Sequence, residues 1–308
     1  MQVYRNTDSL PDFHNAVLTI GTFDGVHTGH QQVITQMKKE AAGIPGESVI
    51  ITFDPHPRTV LNPDSGIKLI NTTEEKEELL SGKGIDSLVI VPFTEKFARL
   101  TADEYISEFL VRYFHPHTII IGYDHHFGKG RSGNYQFLKS LSETYHYQLK
   151  EIPAHVLDSI SVSSTRIREA ISIGNMDTAN ILLGYTFFFS GIVVEGNKLG
   201  REIGYPTANL RVTDAYKLLP ADGVYAVDVI AGDEPQQRLK AMMNIGYRPT
   251  VDGTKKVIEV NIFNFGRSIY GRTLRVFVKK FLRAEQRFSG LDELKAQLGA
   301  DRAEAALL

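Results

Sequence analysis

Two folds of different kind are predicted in this chain: a doubly wound α/β domain, then a small antiparallel β-barrel or sandwich closed by a helix. Three observations predict them. In the first part, short and almost wholly apolar runs (Ala16–Ile20, Ser48–Phe53, Ser87–Val91, Thr118–Gly122) alternate with helical stretches from Thr28, over Glu74–Leu80 and over Ala102–Tyr113. Strands that apolar are buried on both faces, as in a parallel sheet flanked by helices. After Leu183 the character changes. Strand-like runs at Thr186–Val194, Val224–Ile230, Leu239–Asn244, Val257–Phe263 and Leu274–Val278 are separated by Gly and Pro turns. The third observation is the tail, where Leu291–Leu307 returns to helix. The boundary falls between Leu182 and Thr186, giving domains 1–183 and 184–308.

The 308 residues suffice for two cores, and 42% hydrophobic with 23% charged residues is a soluble globular composition. A net charge of -2 offers no basic field for nucleic acid or an anionic membrane, so small molecules are the expected partners. The chain has no Cys, which excludes disulfides, thiolate zinc sites and a Cys nucleophile, and suits a reducing compartment. Asp8 and Asp12 lie where a signal peptide would need an apolar run. Thr118–Ile121 and Thr186–Phe189 are far shorter than a membrane span, so a cytoplasmic protein is expected. No internal repeat is present, and nothing fixes an oligomeric state.

The most informative stretch is Gly21-Thr22-Phe23-Asp24-Gly25-Val26-His27-Thr28-Gly29-His30, between the first strand and the first helix. Open α/β sheets bind ligands at the carboxyl ends of their strands. Gly21 and Gly25 allow a tight turn, and the helix N-terminus behind them offers unpaired N–H groups to a phosphate. His27 and His30 are three residues apart and share a helix face. A bare HxxH also reads as two surface histidines or half a metal site. The strand before it, the helix after it and the missing Cys favour phosphate chemistry.

A second anchor is Ser163-Ser164-Thr165-Arg166-Ile167-Arg168, which opens a helix through Ser172. Ser and Thr cap helices, and an Arg can grip a polyphosphate bidentately. Arg166 and Arg168 cannot both lie on one face of a regular helix. The segment Asp124-His125-His126-Phe127-Gly128-Lys129-Gly130-Arg131-Ser132-Gly133 lacks the Lys-Ser/Thr of a P-loop.

Together GxFDGxHxGH and SSTRIR resemble the bacterial bifunctional riboflavin kinase and FAD synthetase (FMN adenylyltransferase) family. The resemblance implies a Rossmann-like nucleotidyltransferase domain in which His27 and His30 are catalytic. Gly21, Phe23, Asp24, Gly25, Ser163, Ser164, Thr165 and Arg166 would then hold ATP. In the same pattern Asp124, Phe127, Gly128 and Arg131 line the cleft, with His125 where an aromatic is usual, a departure that weakens stacking there. Phe53, Pro55 and Pro57 of TFDPHP match the flavin-side wall. An oxygen of FMN phosphate would attack the ATP α-phosphorus and expel pyrophosphate without a covalent intermediate.

The second half carries the other motif set. Gly191, Gly196, Gly200 and Gly204 precede Tyr205-Pro206-Thr207-Ala208-Asn209 in a loop able to wrap phosphate. Thr207 and Asn209 are hard oxygen donors suited to Mg²⁺. GYPTAN is similar to the PTAN motif of riboflavin kinases, which implies an antiparallel barrel with Gly200, Gly204 and Pro206 around the nucleotide. Asp222-Gly223-Val224-Tyr225-Ala226 and Gly246-Tyr247-Arg248-Pro249-Thr250 match further family turns. Glu259 and Asn261 share a strand face that on its own reads as solvent-exposed. The resemblance makes Glu259 the general base, and it carries Arg283 and Phe288 of the LRxExxF element to the flavin. Riboflavin, FMN and ATP are the implied ligands. A different nucleotidyltransferase, and a binding regulator without catalysis, are the rival readings.

Overall fold

The computed structural model describes residues 1–122, 125–152, 162–196, 199–232, 237–250 and 253–308. They divide into two compact units, Met1–Ile67 with Asn71–Ser164, and Lys68–Ile70 with Thr165–Leu308.

In the first unit six strands form one sheet: β1 (Gln2–Tyr4), β2 (Val17–Ile20), β3 (Ser48–Asp54), β4 (Ser87–Pro92), β5 (Thr118–Gly122) and β6 (Gln148–Ile152). Their order is β1-β4-β3-β2-β5-β6 and every pairing is parallel. The four apolar runs are the central strands. The two edge strands are less buried: Tyr4 alone is part-buried in β1, and Ile152 alone is fully buried in β6. β2 has β3 on one side and β5 on the other, so the order reverses there and a crevice opens past its carboxyl end.

Both faces of the sheet are covered, as the all-apolar strands require. Val17, Ile50, Leu88, Ile90 and Ile120 meet Val33, Ile34, Met37 and Ala41 of α1 (Thr28–Ala42). The alternate positions Leu18, Ile20, Val49, Ile51, Val89 and Ile119 face an aromatic layer with Tyr105, Phe109 and Phe114. The helix expected over Ala102–Tyr113 contains a π-helical stretch, Tyr105–Val111, which turns Tyr105 and Phe109 together into that layer.

In the second unit six strands close an antiparallel barrel: β7 (Phe188–Val194), β8 (Ala208–Arg211), β9 (Gly223–Ala231), β10 (Leu239–Thr250), β11 (Gly253–Ile262) and β12 (Thr273–Arg283), in the order β10-β11-β8-β7-β12-β9. Closure decides between barrel and sandwich, because β9 pairs with both β10 and β12 and leaves no free edge. Gly246–Thr250, read as a turn, is strand instead, since β10 stays in register with β11 from Ala241 to Thr250. The terminal helix, Leu291–Leu307, seats Ala305 against Ala226 and Met242 on the outside of the barrel. The helix Met176–Leu183 is tied to it by Asn180, which donates to Val278 O (3.0 Å) and accepts from Phe187 N (2.7 Å).

Candidate functional site

The Gly21–His27 turn leaves the carboxyl end of β2 at the switch point of the sheet. Gly25 takes φ +95°, open to glycine, but the tight turning is shared by Phe23 (φ +48°) and Val26 (φ +37°). A β-branched residue in that region is strained, a state that recurs where a loop is held for function. Gly21 has no such φ; its lack of a side chain admits the Phe23 ring, 3.3 Å from where a Cβ would sit. Asp24 is 2% exposed, and its Oδ1 accepts from Asn71 N at 3.2 Å. Ser164, the first residue of its helix, donates through Oγ to Asp24 O at 2.9 Å, so the two sequence motifs meet here.

His27 is the N-cap of α1, and its Nδ1 accepts from His30 N at 3.4 Å. An acceptor Nδ1 puts the proton of the neutral ring on Nε2. The two rings stack with centroids 3.6 Å apart, and His30 also lies 4.9 Å from the Phe23 ring. His30 Nδ1 is buried with no hydrogen-bond partner among the described residues. Burial, then the charges of His27 and Lys76, hold His30 well below its ordinary pKa, so it is neutral at pH 7.

Around this turn, Phe53 packs edge-on to Phe93 and against Phe97, inside the aromatic layer. Asp54–Pro55 is a cis peptide, Pro55 is exposed, and Pro57 opens a short helix capped by His56. Phe127 lies between Tyr105 (4.9 Å) and His125 (5.8 Å), both in stacked geometry. His125, expected to weaken stacking, therefore continues the stack; burial pushes its pKa down to about 4. Gly128 (φ +71°) lies where a Cβ would come within 2.8 Å of Ala102 N. Arg131 is exposed, and Asp124 lies outside the described residues.

In the barrel, Thr207 Oγ1 donates to Glu259 Oε1 at 3.4 Å, and Asn209 is the register partner of Glu259 across β8 and β11. Their face is not a solvated one. Asn261 is 5% exposed and donates to Pro206 O at 2.7 Å, because the PTAN segment folds over it. Gly196 lets the loop approach the Asn209 amide, which a Cβ would overlap at 2.1 Å. Gly200 O accepts from Tyr205 N at 2.7 Å, and Gly204 takes φ +86°. A cavity beside Thr207 is bordered by Arg201, Pro206, Arg267 and Tyr270. Arg283 clamps Asp301 of the terminal helix with bonds of 2.7–3.1 Å and sits 5.7 Å from the Phe288 ring. Glu285, the acidic residue of the LRxExxF element, accepts from Asn244 Nδ2 at 3.1 Å, and Asn244 is the other register partner of Glu259.

Residues 10–166 match the FAD synthetase family and residues 183–308 the Riboflavin kinase family. A protein of Escherichia coli (strain K12) named bifunctional riboflavin kinase/FMN adenylyltransferase is 37% identical over 98% of this chain and 95% of its own length. The chain belongs to the bifunctional riboflavin kinase/FMN adenylyltransferase family. A protein of the same name from Listeria monocytogenes is 37% identical over 96% of this chain and 92% of its own. A solved structure named as a macrolide-efflux protein from Streptococcus pneumoniae aligns with a TM-score of 0.88 and 34% identity, covering 99% of this chain and 98% of that one. Among the described residues no helix is long and apolar enough to cross a membrane.

For a member of this family the residue that sequence reasoning missed in the first unit is Lys76. It is 7% exposed and donates to Thr52 Oγ1 at 3.3 Å, and Thr52 in turn donates to Thr22 O in the turn. Its signal was faint, a single Lys among the glutamates of Thr73–Ser81. Arg267 and Tyr270 were missed in the second unit because they sit in a connecting loop without a motif of their own.

Proposed function

We infer that this chain phosphorylates riboflavin to FMN and then adenylylates FMN to FAD, consuming ATP in both steps. The observation that carries the reading is that one chain holds two separate phosphoryl-transfer sets, stacked His27–His30 in one unit and Thr207–Glu259 in the other.

Residues 1–183 carry the adenylyl transfer. An oxygen of the FMN phosphate bonds to the ATP α-phosphorus, the bond to the bridging oxygen breaks, and pyrophosphate leaves with the electron pair. No proton need move at the phosphorus, so positioning and charge stabilisation supply the catalysis. His27 offers Nε2–H, and neutral His30 offers a buried nitrogen with no competing partner among the described residues. The backbone of Gly21, Phe23, Asp24 and Gly25 and the helix start at Ser163, Ser164 and Thr165 surround the phosphates. Arg166 is exposed and is the arm proposed for phosphate, and Arg168 donates through Nε to Lys68 O at 2.9 Å. Gly128 and Arg131 border the cleft, and the stack through Phe127 with Pro55 and Pro57 supports a flat flavin.

Residues 184–308 carry the kinase. The riboflavin 5′-hydroxyl oxygen bonds to the ATP γ-phosphorus, ADP leaves with the electron pair, and Glu259 takes the hydroxyl proton. The Thr207 hydroxyl and Asn209 amide oxygen, beside Glu259, form a hard-oxygen pair that fits Mg²⁺. Such an ion, once bound, would neutralise charge on the transferred phosphoryl group. Thr207 and Asn209 would hold it, with Gly200, Gly204 and Pro206 shaping the loop and Phe288 toward the flavin. The cysteine-free chain supports a cytoplasmic setting with small-molecule partners. Incubation with riboflavin, ATP and Mg²⁺ followed by chromatography of flavins tests the reading: FMN and FAD should both appear, and a chain yielding neither would sink it.

A further inference from the structure

Lys76 stands in the first turn of Thr73–Ser81 and is 7% exposed. Both conditions work against a cation, since a helix N-terminus carries positive partial charge and burial removes hydration. Burial accordingly pushes the ammonium below its ordinary pKa, against the pull of Asp24, Asp54 and Glu77. The helix start holds it there. Thr72 and Glu75 form a reciprocal capping box, and Asn71, just before it, donates its N–H to Asp24 Oδ1.

An ammonium has three N–H donors. Among the described residues Lys76 uses one, in the 3.3 Å bond to Thr52, whose own hydroxyl is spent on Thr22 O. Thr52 ties the ammonium to the Gly21–His30 turn through Thr22 O, and the Lys76 charge bears on His30. A lysine kept buried and under-satisfied at the crevice of an open α/β sheet is built for an anionic oxygen that arrives with substrate.

We propose that Lys76 donates to a phosphoryl oxygen at the adenylyl-transfer centre, as a fixed positive charge beside the stacked His27–His30 pair. It gives up no proton. It offsets charge while the acceptor oxygen bonds to the α-phosphorus and pyrophosphate departs. The oxygen belongs either to the FMN phosphate or to the ATP polyphosphate. The proposal rests on the adenylyl-transfer reading of this site.

The test is Lys76→Met in the full chain, which removes the charge and keeps the length of the side chain. Among the described residues Lys76 makes a single 3.3 Å hydrogen bond, so an apolar side chain of like length costs little stability. The melting temperature and riboflavin phosphorylation should therefore hold, while FAD formation from FMN and ATP falls by about 10²-fold or more. If the oxygen is that of the polyphosphate, inhibition by inorganic pyrophosphate weakens; if it is that of FMN, the KM for FMN rises and pyrophosphate inhibition stays. FAD formation within about threefold of the parent overturns the proposal alone. A parent chain that makes no FAD overturns both it and the reading beneath it. Should Lys76→Met unfold, Lys76→Gln keeps the Thr52 bond without the charge and is held to the same limit. Unfolding of both variants would make the charge structural and also overturn the proposal.

Discussion

The His27 and His30 rings stack with centroids 3.6 Å apart and planes 16° from parallel. Two unit charges about 4 Å apart repel by roughly 4 kcal/mol even at an effective dielectric of about 20, so the pair does not become doubly protonated near neutrality. Proximity thus keeps one ring a neutral donor in a site that also gathers Lys76.

The first prediction concerns pH and stability. Burial holds His30 well below 6.5 and pushes His125 down to about 4. Below pH 6.5 the unfolded chain binds protons that these two rings refuse when folded, so stability falls as pH drops from 6.5 toward 4. Urea unfolding across that window should show the slope, and His125→Phe, which preserves the ring stack, should flatten it. An unchanged slope in the variant would remove His125 from the explanation.

His27→Ala should lower FAD formation strongly while FMN formation persists. Loss of one positioned donor at a comparable oxyanion site costs roughly 3–4 kcal/mol in the transition state. Parallel assays of the two products check it; an equal loss of both would indicate misfolding.

Glu259→Gln should reduce riboflavin phosphorylation by roughly 10²–10⁴ and leave FAD synthesis from supplied FMN intact. Gln keeps the shape and the Thr207 contact but cannot accept the hydroxyl proton. Riboflavin binding should change far less than turnover, as expected for a loss in the transition state. Normal kinase turnover in this variant would make Asp222 the residue to test next.

Arg166 and Arg168 should separate by assay. Arg166→Ala should raise the KM for ATP in FAD formation with little change in melting temperature. Arg168→Ala removes the bond to Lys68 O and should lower stability by about 1 kcal/mol, with the KM for ATP nearly unchanged. The reverse pattern would exchange their roles.

Asp301→Asn should destabilise the barrel by about 3 kcal/mol, because Arg283 loses a largely buried carboxylate. The temperature at which riboflavin phosphorylation is lost reads this directly. If only the KM for riboflavin moved, Arg283 would belong to the flavin site, as the LRxExxF resemblance implies, more than to the helix anchor.

The central strands were legible because burial on both faces leaves continuous apolar runs, and Thr118–Gly122 and Leu291–Leu307 appear in the structure with the bounds read from the sequence. β1, β6 and β8 were not, since three to five residues at an edge or beside a loop carry no periodicity. The leading motif of each set was legible for a local reason: Gly21–His30 and Gly191–Asn209 each concentrate their chemistry in one continuous stretch of chain.

What the sequence by itself determined is therefore everything local: the apolar runs, the glycine turns, the histidine spacing and the change of character near Leu183. Only the tertiary structure decided which residues meet. It joined Ser164 to Asp24, brought Lys76 to Thr52, opposed Asn209 to Glu259, buried Asn261 and gave Arg283 to Asp301. The reason is physical. Backbone preference and hydrophobic period act over a few residues, whereas a buried polar group needs a partner that only the folded topology can bring.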